Sequence, residues 1–138
     1  MKTVDNWNKF PNFSRHEFDH GGSEMLLRFM IMLQEARDFA RDICKEINEP
    51  EIPFVINSGS RSKERNRQVG GKPDSTHLFG CASDIRALTS REKFVIVKSL
   101  MLAGFTRIFI YPRFVHVDIG EVLVTPIKHL NVLGIINE

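Results

Sequence analysis

Apolar residues between positions 23 and 49 recur at steps of three and four, which is the spacing of one face of an α-helix. The positions on this face are Leu26, Leu27, Met30, Leu33, Ala36, Arg37, Ala40 and Ile43. Pro50 follows directly and cannot continue a helix, so the pattern predicts one long helix over residues 23–49. A second helical face begins at Thr89, which forms a predicted capping box with Glu92, and ends before Gly104.

Two shorter helices have start signals of their own. Ser14 and Glu17 have the spacing of a capping box, in which the serine is the N-cap and the glutamate reaches back to it. Ser62 is a second candidate N-cap, for a short helix over residues 63–69. Residues 1–12 contain no periodic pattern, and we expect them to form an irregular lead-in.

Short apolar runs between these helices predict strands. One run covers residues 54–58, and another begins near Gly80 and continues to residue 88. The runs at 105–111 and 114–119 are separated by a Pro-Arg turn and predict a hairpin. The expected fold is α+β: a small, mainly antiparallel sheet with helices packed against one side, in a single domain over residues 1–138.

The composition is that of a globular protein, and it narrows the choice of partners. Nineteen basic and 17 acidic side chains give a net charge of +2, which is too close to neutral to favour nucleic acid. No apolar run reaches the roughly 18 residues of a membrane span, and no signal peptide is visible, so we expect synthesis in a cytoplasm. Cys44 and Cys81 are expected to be free thiols. We expect a monomer.

A candidate metal site starts from His77 and Asp84, which stand seven positions apart with Gly80 between them. Because glycine would weaken a helix here, we expect a turn that carries His77 and a strand that carries Asp84. An imidazole and a carboxylate that converge in this way suit Zn²⁺. We identify His116 as the third ligand.

The strand around His116 supports this choice. Three β-branched residues alternate with His116 and Asp118, so the β-branched set is expected in the core and the two polar residues on the opposite face. Alone, this pattern would favour a half-exposed strand with a polar outer face. Together with His77 and Asp84 it favours a metal site. Cys81 is a rival zinc ligand by residue type, but its strand parity is opposite to that of Asp84, which places it in the core.

Several motifs between residues 13 and 120 occur here in one order. They are Phe13-Ser14-x-x-Glu17-Phe18, Ser58-Gly59-Ser60-Arg61-Ser62, Asn66, Val69-Gly70-Gly71, Ser75-x-His77-x-x-Gly80-x-Ala82-x-Asp84 and His116-Val117-Asp118. This set resembles the zinc D-alanyl-D-alanine carboxypeptidase family, which are peptidoglycan peptidases that share a fold with the Hedgehog signalling domain and include phage endolysins. Ser60 and Cys81 depart from the residues that are common at those positions of the family.

The resemblance implies a single zinc cleft, in which His77, Asp84 and His116 bind Zn²⁺ and water takes the fourth position. Zinc lowers the pKa of such a water from 15.7 towards about 7. The resemblance also implies that Arg61 holds the scissile carbonyl oxygen, where a permanent charge and a planar fork suit the developing negative charge. Ser75 would bind the peptide or carboxylate group of the substrate, and a simple turn cap is an equally good interpretation of it.

The general base does not follow from the resemblance. Many family members carry a carboxylate or a histidine a few residues before the second zinc histidine, and positions 111–115 of this chain hold neither. Asp118 is the nearest acid on the face of His116, so we nominate it as the base. Alternatively, Asp118 orients His116 as a ligand, and the sequence leaves both roles open.

The expected function is zinc-dependent hydrolysis of a peptide bond at a D-amino acid in peptidoglycan. The enzyme would be a D-Ala-D-Ala carboxypeptidase or a stem-peptide endopeptidase, acting on the cell wall. By analogy with the family, we expect a phage-type lysin that another protein releases. The rival interpretation is a non-catalytic, Hedgehog-like zinc-binding module that recognises a partner. The intact Arg61 and an available acid favour the enzyme.

Overall fold

The computed structural model describes residues 2–20, 24–71, 76–120 and 134–135. The α-helices are α1 (Arg15–Phe18), α2 (Leu27–Glu46), α3 (Lys63–Gln68) and α4 (Ser90–Leu102). Two 3₁₀ turns cover Trp7–Lys9 and Thr76–Phe79. The strands are β1 (Asp19–His20), β2 (Ile56–Ser58), β3 (Ser60–Arg61), β4 (Ala82–Arg86), β5 (Arg107–Ile110), β6 (Phe114–Asp118) and β7 (Gly134–Ile135).

The main sheet has five strands in the order β2-β4-β6-β5-β7. The pairs β2–β4, β4–β6 and β5–β6 are antiparallel, whereas β7 joins the edge parallel to β5. A separate parallel pair joins β1 to β3, with His20 opposite Arg61. The predicted α+β class and the mainly antiparallel sheet are therefore confirmed.

The core lies between one face of the sheet and a layer of two helices. The sheet contributes Ile85, Ile108, Val115 and Val117, all fully buried. Helix α4 lies against β5 and β6 and packs on α2. The buried faces of the two helices consist of Phe29, Met30, Leu33, Ala36, Ala40, Val95, Ile96 and Leu100. In the described part of the chain, no helix is long and apolar enough to cross a bilayer.

The local start signals of the helices are confirmed. Glu17 accepts from the backbone N–H of Ser14 at 2.6 Å, which completes the capping box of α1. The Ser62 hydroxyl accepts from the N–H of Arg65 at 3.0 Å at the start of α3. At the start of α4, the Thr89 hydroxyl accepts from the N–H of Glu92 at 3.1 Å. Side-chain capping thus fixes three helix starts.

Helix α2 begins at Leu27, later than its apolar periodicity predicts. The backbone just before it pairs with the N-terminal segment instead: Val4 donates to the Met25 carbonyl at 2.9 Å, and Leu27 donates to the Lys2 carbonyl at 2.9 Å. An extended backbone satisfies these long-range bonds, so Met25 and Leu26 are buried without being helical. The lead-in is less irregular than expected, since Trp7–Lys9 forms a 3₁₀ turn.

Gly80 closes the turn that carries His77, and only glycine fits there. Its φ is +68°, and an added Cβ would overlap the backbone carbonyl of Glu24. The Gly80 carbonyl accepts from the N–H of Leu26 at 2.8 Å, which ties this turn to the start of α2. The position therefore combines a left-handed conformation with a close backbone approach.

We expect Gly80→Ala to destabilise the protein by at least about 2 kcal/mol, because left-handed strain and a steric overlap add together. Urea unfolding measures the change. Gly70→Ala is the matched control, since Gly70 has a φ of +74° but nothing lies within 4 Å of an added Cβ. Its expected cost is about 1 kcal/mol from strain alone. Equal losses in the two variants would contradict the overlap at Gly80.

Candidate metal centre

His77, Asp84 and His116 lie close together, with Asp84 in the middle of β4 and His116 in the middle of β6. One ligand atom of each lies within 4.8 Å of the corresponding atoms of the other two. The side chains of the three residues are 4%, 12% and 15% exposed, so the cluster is largely buried but open to solvent at one side. Two imidazoles and one carboxylate form a donor set that suits a zinc ion with a further position open to solvent or substrate.

Strand register brings two of these residues together. Asp84 on β4 is directly opposite His116 on β6, and Ser58 on β2 is opposite Asp84 on its other side. Directly opposed residues of antiparallel strands have Cβ atoms about 4.5–5.5 Å apart. The row Ser58–Asp84–His116 therefore crosses three strands on the face away from the helices.

The backbone holds the ring of His77 in one orientation. Its Nδ1 atom lies 2.6 Å from the carbonyl oxygen of Gly59, so Nδ1–H donates to that carbonyl. The Nε2 atom is then left as the lone-pair nitrogen, and it lies 3.4 Å from Asp84 Oδ2. A hydrogen bond of this kind fixes the tautomer of a metal-ligating histidine and the direction of its ring.

His116 lies between two carboxylates. Its Nδ1 is 2.8 Å from Asp84 Oδ1, and its Nε2 is 2.7 Å from Asp118 Oδ2. Burial alone would lower the pKa of His116, but hydrogen bonds to Asp118 and Asp84 outweigh it and raise the pKa to about 9. The Nδ1 atom faces Asp84, so a cation that Asp84 and His116 share would take the place of the Nδ1 proton.

The same contacts hold Asp84 ionised. Burial would raise the pKa of this carboxyl, but the hydrogen bond from His116 and the neighbouring imidazole of His77 hold it well below its usual range. Arg61 Nη2 lies 3.5 Å from Asp84 Oδ2 and adds a further positive charge. A carboxylate that stays charged is ready to bind a cation.

Asp118 is buried, and both of its carboxylate oxygens accept hydrogen bonds. Its Oδ2 accepts from His116 Nε2, while Oδ1 accepts from Arg107 Nε at 2.7 Å and from the Gly120 N–H at 2.8 Å. Only 1% of its side chain is exposed. Burial would raise its pKa, but the hydrogen bond from His116 outweighs this and lowers it. The carboxylate therefore contacts the ring nitrogen of His116 that faces away from Asp84.

Arg61 on β3 points into the cluster and is held by three acceptors. Its Nε donates to Ser58 Oγ at 3.1 Å, its Nη1 to Asn66 Oδ1 at 3.2 Å, and its Nη2 contacts Asp84. Burial lowers the pKa of Arg61, and Asp84 partly offsets this. Asn66 itself is buried, and a Cβ at Gly71 would overlap its side-chain oxygen. The Asn66 and Gly71 motif positions therefore fix the guanidinium.

Two further residues were candidates from the sequence: Ser75 for substrate binding and Cys81 as a rival zinc ligand. Ser75, predicted to bind substrate, lies outside the described residues. Cys81 is fully buried, as its strand parity predicts, and it is not part of the cluster of possible metal ligands.

Two contributors to the site were missed. The Gly59 carbonyl that holds His77 has no side chain to signal it. Arg107 could have been found from the hairpin, because the turn at 111–113 pairs Phe109 with His116 and Arg107 with Asp118. Counting outward from that turn places the guanidinium beside the aspartate.

A comparison with protein families matches the chain to the model described as Peptidase M15, over residues 22–118. The match covers well over half of the chain and includes all three residues of the candidate metal centre. The chain belongs to this family of zinc D-alanyl-D-alanine carboxypeptidase-like peptidases, and it is a metallopeptidase by that membership. A search of curated proteins finds no match.

Proposed function

We propose that this protein is a zinc peptidase that hydrolyses a peptide bond at a D-amino acid of peptidoglycan. The observation that carries the proposal is the convergence of His77, Asp84 and His116 beside a fixed arginine, Arg61. Membership of the Peptidase M15 family supports metal-dependent peptide hydrolysis. The resemblance of the motifs to D-alanyl-D-alanine carboxypeptidases supports the cell wall as the place of action.

In this proposal, zinc is held by His77 through Nε2, by an oxygen of Asp84, and by His116 through Nδ1. These atoms are the ones that remain after Gly59 and Asp118 have taken the other ring nitrogens. When bound, zinc polarises a peptide carbonyl and lowers the pKa of water to near neutrality. The chain supplies a largely buried cluster in which Asp84 is held as a carboxylate, a hard anionic ligand for a divalent cation.

Arg61 binds the carbonyl oxygen of the scissile bond. Its guanidinium keeps its charge, and its contacts with Ser58, Asn66 and Asp84 fix its position before substrate arrives. A donor that is already oriented stabilises the negative charge that develops on this oxygen, with no reorganisation during the reaction. The buried Asn66 and the close approach of Gly71 support this role.

Asp118 acts through His116. Because both of its oxygens already accept hydrogen bonds, its role in this proposal is to hold Nε2–H of His116 and so direct Nδ1 at the metal. The alternative role, general base, requires a carboxylate oxygen that reaches the substrate. The two roles differ in what they predict for zinc affinity.

We expect Asp118→Asn to weaken zinc binding about 10- to 100-fold, as loss of a carboxylate that supports a ligand does. The new amide would place its N–H group against Arg107 or against His116. Competition with a chromophoric chelator measures the affinity. Asp42→Asn, at an exposed acid of α2, is the control and should leave the affinity unchanged. Full zinc affinity with abolished turnover in Asp118→Asn would instead identify Asp118 as the base.

The proposed activity is tested by incubating the full chain with peptidoglycan and with peptides that end in D-Ala-D-Ala, and identifying the products by mass spectrometry. Loss of terminal D-alanine indicates a carboxypeptidase, and cleavage within the stem peptide indicates an endopeptidase. We expect one of these products, its loss with a chelator, and its return with added zinc. Tight zinc binding with no product from either substrate would favour the non-catalytic Hedgehog-like module.

A further inference from the structure

A polar pocket of about 220 Å³ adjoins the candidate metal centre. Its lining consists of Asn57, Ser58, Arg61, Arg65, Val69, Asp84 and Phe114. Arg61 and Asp84 belong to both the pocket and the metal centre, so a peptide that reaches the reacting carbonyl has this pocket beside it. Ser58 also belongs to the centre, because its hydroxyl holds Arg61, whereas Asn57, Arg65, Val69 and Phe114 have no role in the centre described above.

The pocket has an excess of positive charge. Asp84 is its single acid among the described residues, and that carboxylate is already shared by Arg61, His77 and His116. In the described part of the chain, no carboxylate pairs with the Arg65 guanidinium. On the same helix, Arg67 pairs with Glu64, so its charge is compensated.

Arg65 and Arg61 act on each other across the pocket. Both side chains line the pocket, so two positive charges face the same small space and repel each other. An anionic group between the two guanidinium groups would relieve this repulsion and accept charge-assisted hydrogen bonds from both. Val69 and Phe114 give the same pocket apolar walls for the carbon atoms next to such a group.

We infer that Arg65 is a specificity-determining residue that selects substrate peptides with a carboxylate close to the scissile bond. The inference rests on the proposed peptidase function and names the substrate class of the same site. The carboxylate has two sources in a stem peptide: the C-terminal α-carboxylate and the free carboxylate of a D-glutamyl residue. A planar guanidinium suits either source, because it binds a carboxylate through two parallel N–H groups.

The test uses the zinc-loaded full chain and three forms of the peptide L-Ala-γ-D-Glu-L-Lys-D-Ala-D-Ala. The first is amidated at its C-terminus, the second at the glutamyl carboxylate, and the third at both. Arg65→Gln is expected to raise KM about tenfold for the form that keeps the recognised carboxylate, because a charge-assisted hydrogen bond is lost. It should change KM less than twofold for the doubly amidated form, with kcat and zinc content preserved. The peptide whose KM rises identifies which of the two carboxylates Arg65 recognises.

Two further variants make the result specific. Arg67→Gln removes a paired charge from the same helix and should leave KM for all three peptides unchanged. Arg65→Lys keeps the charge but loses the planar fork, so its KM should lie between those of the wild type and Arg65→Gln. An equal rise in KM for all three peptides in Arg65→Gln, or no rise for any of them, would overturn the inference.

Failure of the proposed function gives a different result. If the zinc-loaded wild type hydrolyses none of the peptides, the peptidase proposal fails, and the same peptides are titrated into the protein by calorimetry. A dissociation constant that rises about tenfold in Arg65→Gln for one carboxylate form alone still supports carboxylate recognition. Identical constants for the wild type and the variant, or no binding of any form, would overturn it.

Discussion

The Asp84→Asn variant is expected to lose zinc and, with it, all peptide hydrolysis. Asp84 is the only anionic member of the ligand set, and it also contacts Arg61. We expect zinc affinity to fall by more than the roughly 10- to 100-fold that loss of a supporting partner costs. Metal analysis after dialysis against a weak chelator measures the loss, with Asp42→Asn as the control.

The same variant has a second expected effect, which requires no zinc and no substrate. Removal of the Asp84 carboxylate leaves His116 and Arg61 without the anion that both of them contact. We expect the free energy of unfolding in excess chelator to fall by about 3 kcal/mol at neutral pH. Urea unfolding measures this change. Unaltered stability together with full zinc retention would contradict the placement of Asp84 at the centre of the cluster.

The Arg61→Lys variant is expected to keep zinc but lose kcat/KM by about 100- to 1,000-fold, the range for removal of one donor to a developing oxyanion. Lysine keeps the positive charge but cannot contact Ser58, Asn66 and Asp84 at once. Steady-state kinetics and metal content are measured on the same preparation. Arg67→Gln is the control for loss of an exposed guanidinium.

Two outcomes of the Arg61→Lys experiment would contradict the proposed role. A fall in kcat/KM of less than about tenfold would mean that the scissile carbonyl is stabilised elsewhere. A loss of zinc in parallel with activity would mean that Arg61 supports Asp84 rather than the substrate.

The predictions from sequence succeeded where the signal was local. The capping residues of α1, α3 and α4 lie within three positions of the N–H groups or side chains that they contact, so spacing alone revealed them. Alternation along β6 separated the buried valines from His116 in the same way. The start of α2 was placed too early because its backbone bonds go to residues 2–4, a contact that no local pattern encodes.

In the candidate site too, the sequence predicted the residues with a local signal but not their long-range contacts. Residue type and spacing brought His77, Asp84 and His116 forward, and the structure brings their side chains together. The two roles of Asp118 could not be separated from sequence, because they depend on which atoms its carboxylate faces. Arg107 lies on another strand, and the Gly59 carbonyl belongs to the backbone, so the groups that orient the histidines emerge only with the fold.

Zinc X-ray absorption of the full chain, loaded with one equivalent of metal, tests most directly whether three side chains share one cation. We expect only nitrogen and oxygen neighbours at about 2.0–2.2 Å, with the outer-shell signal of two imidazoles. In His116→Ala, the imidazole signal should fall to that of one ring. A sulfur neighbour at about 2.3 Å, or a spectrum unchanged by His116→Ala, would contradict the metal centre proposed for this protein.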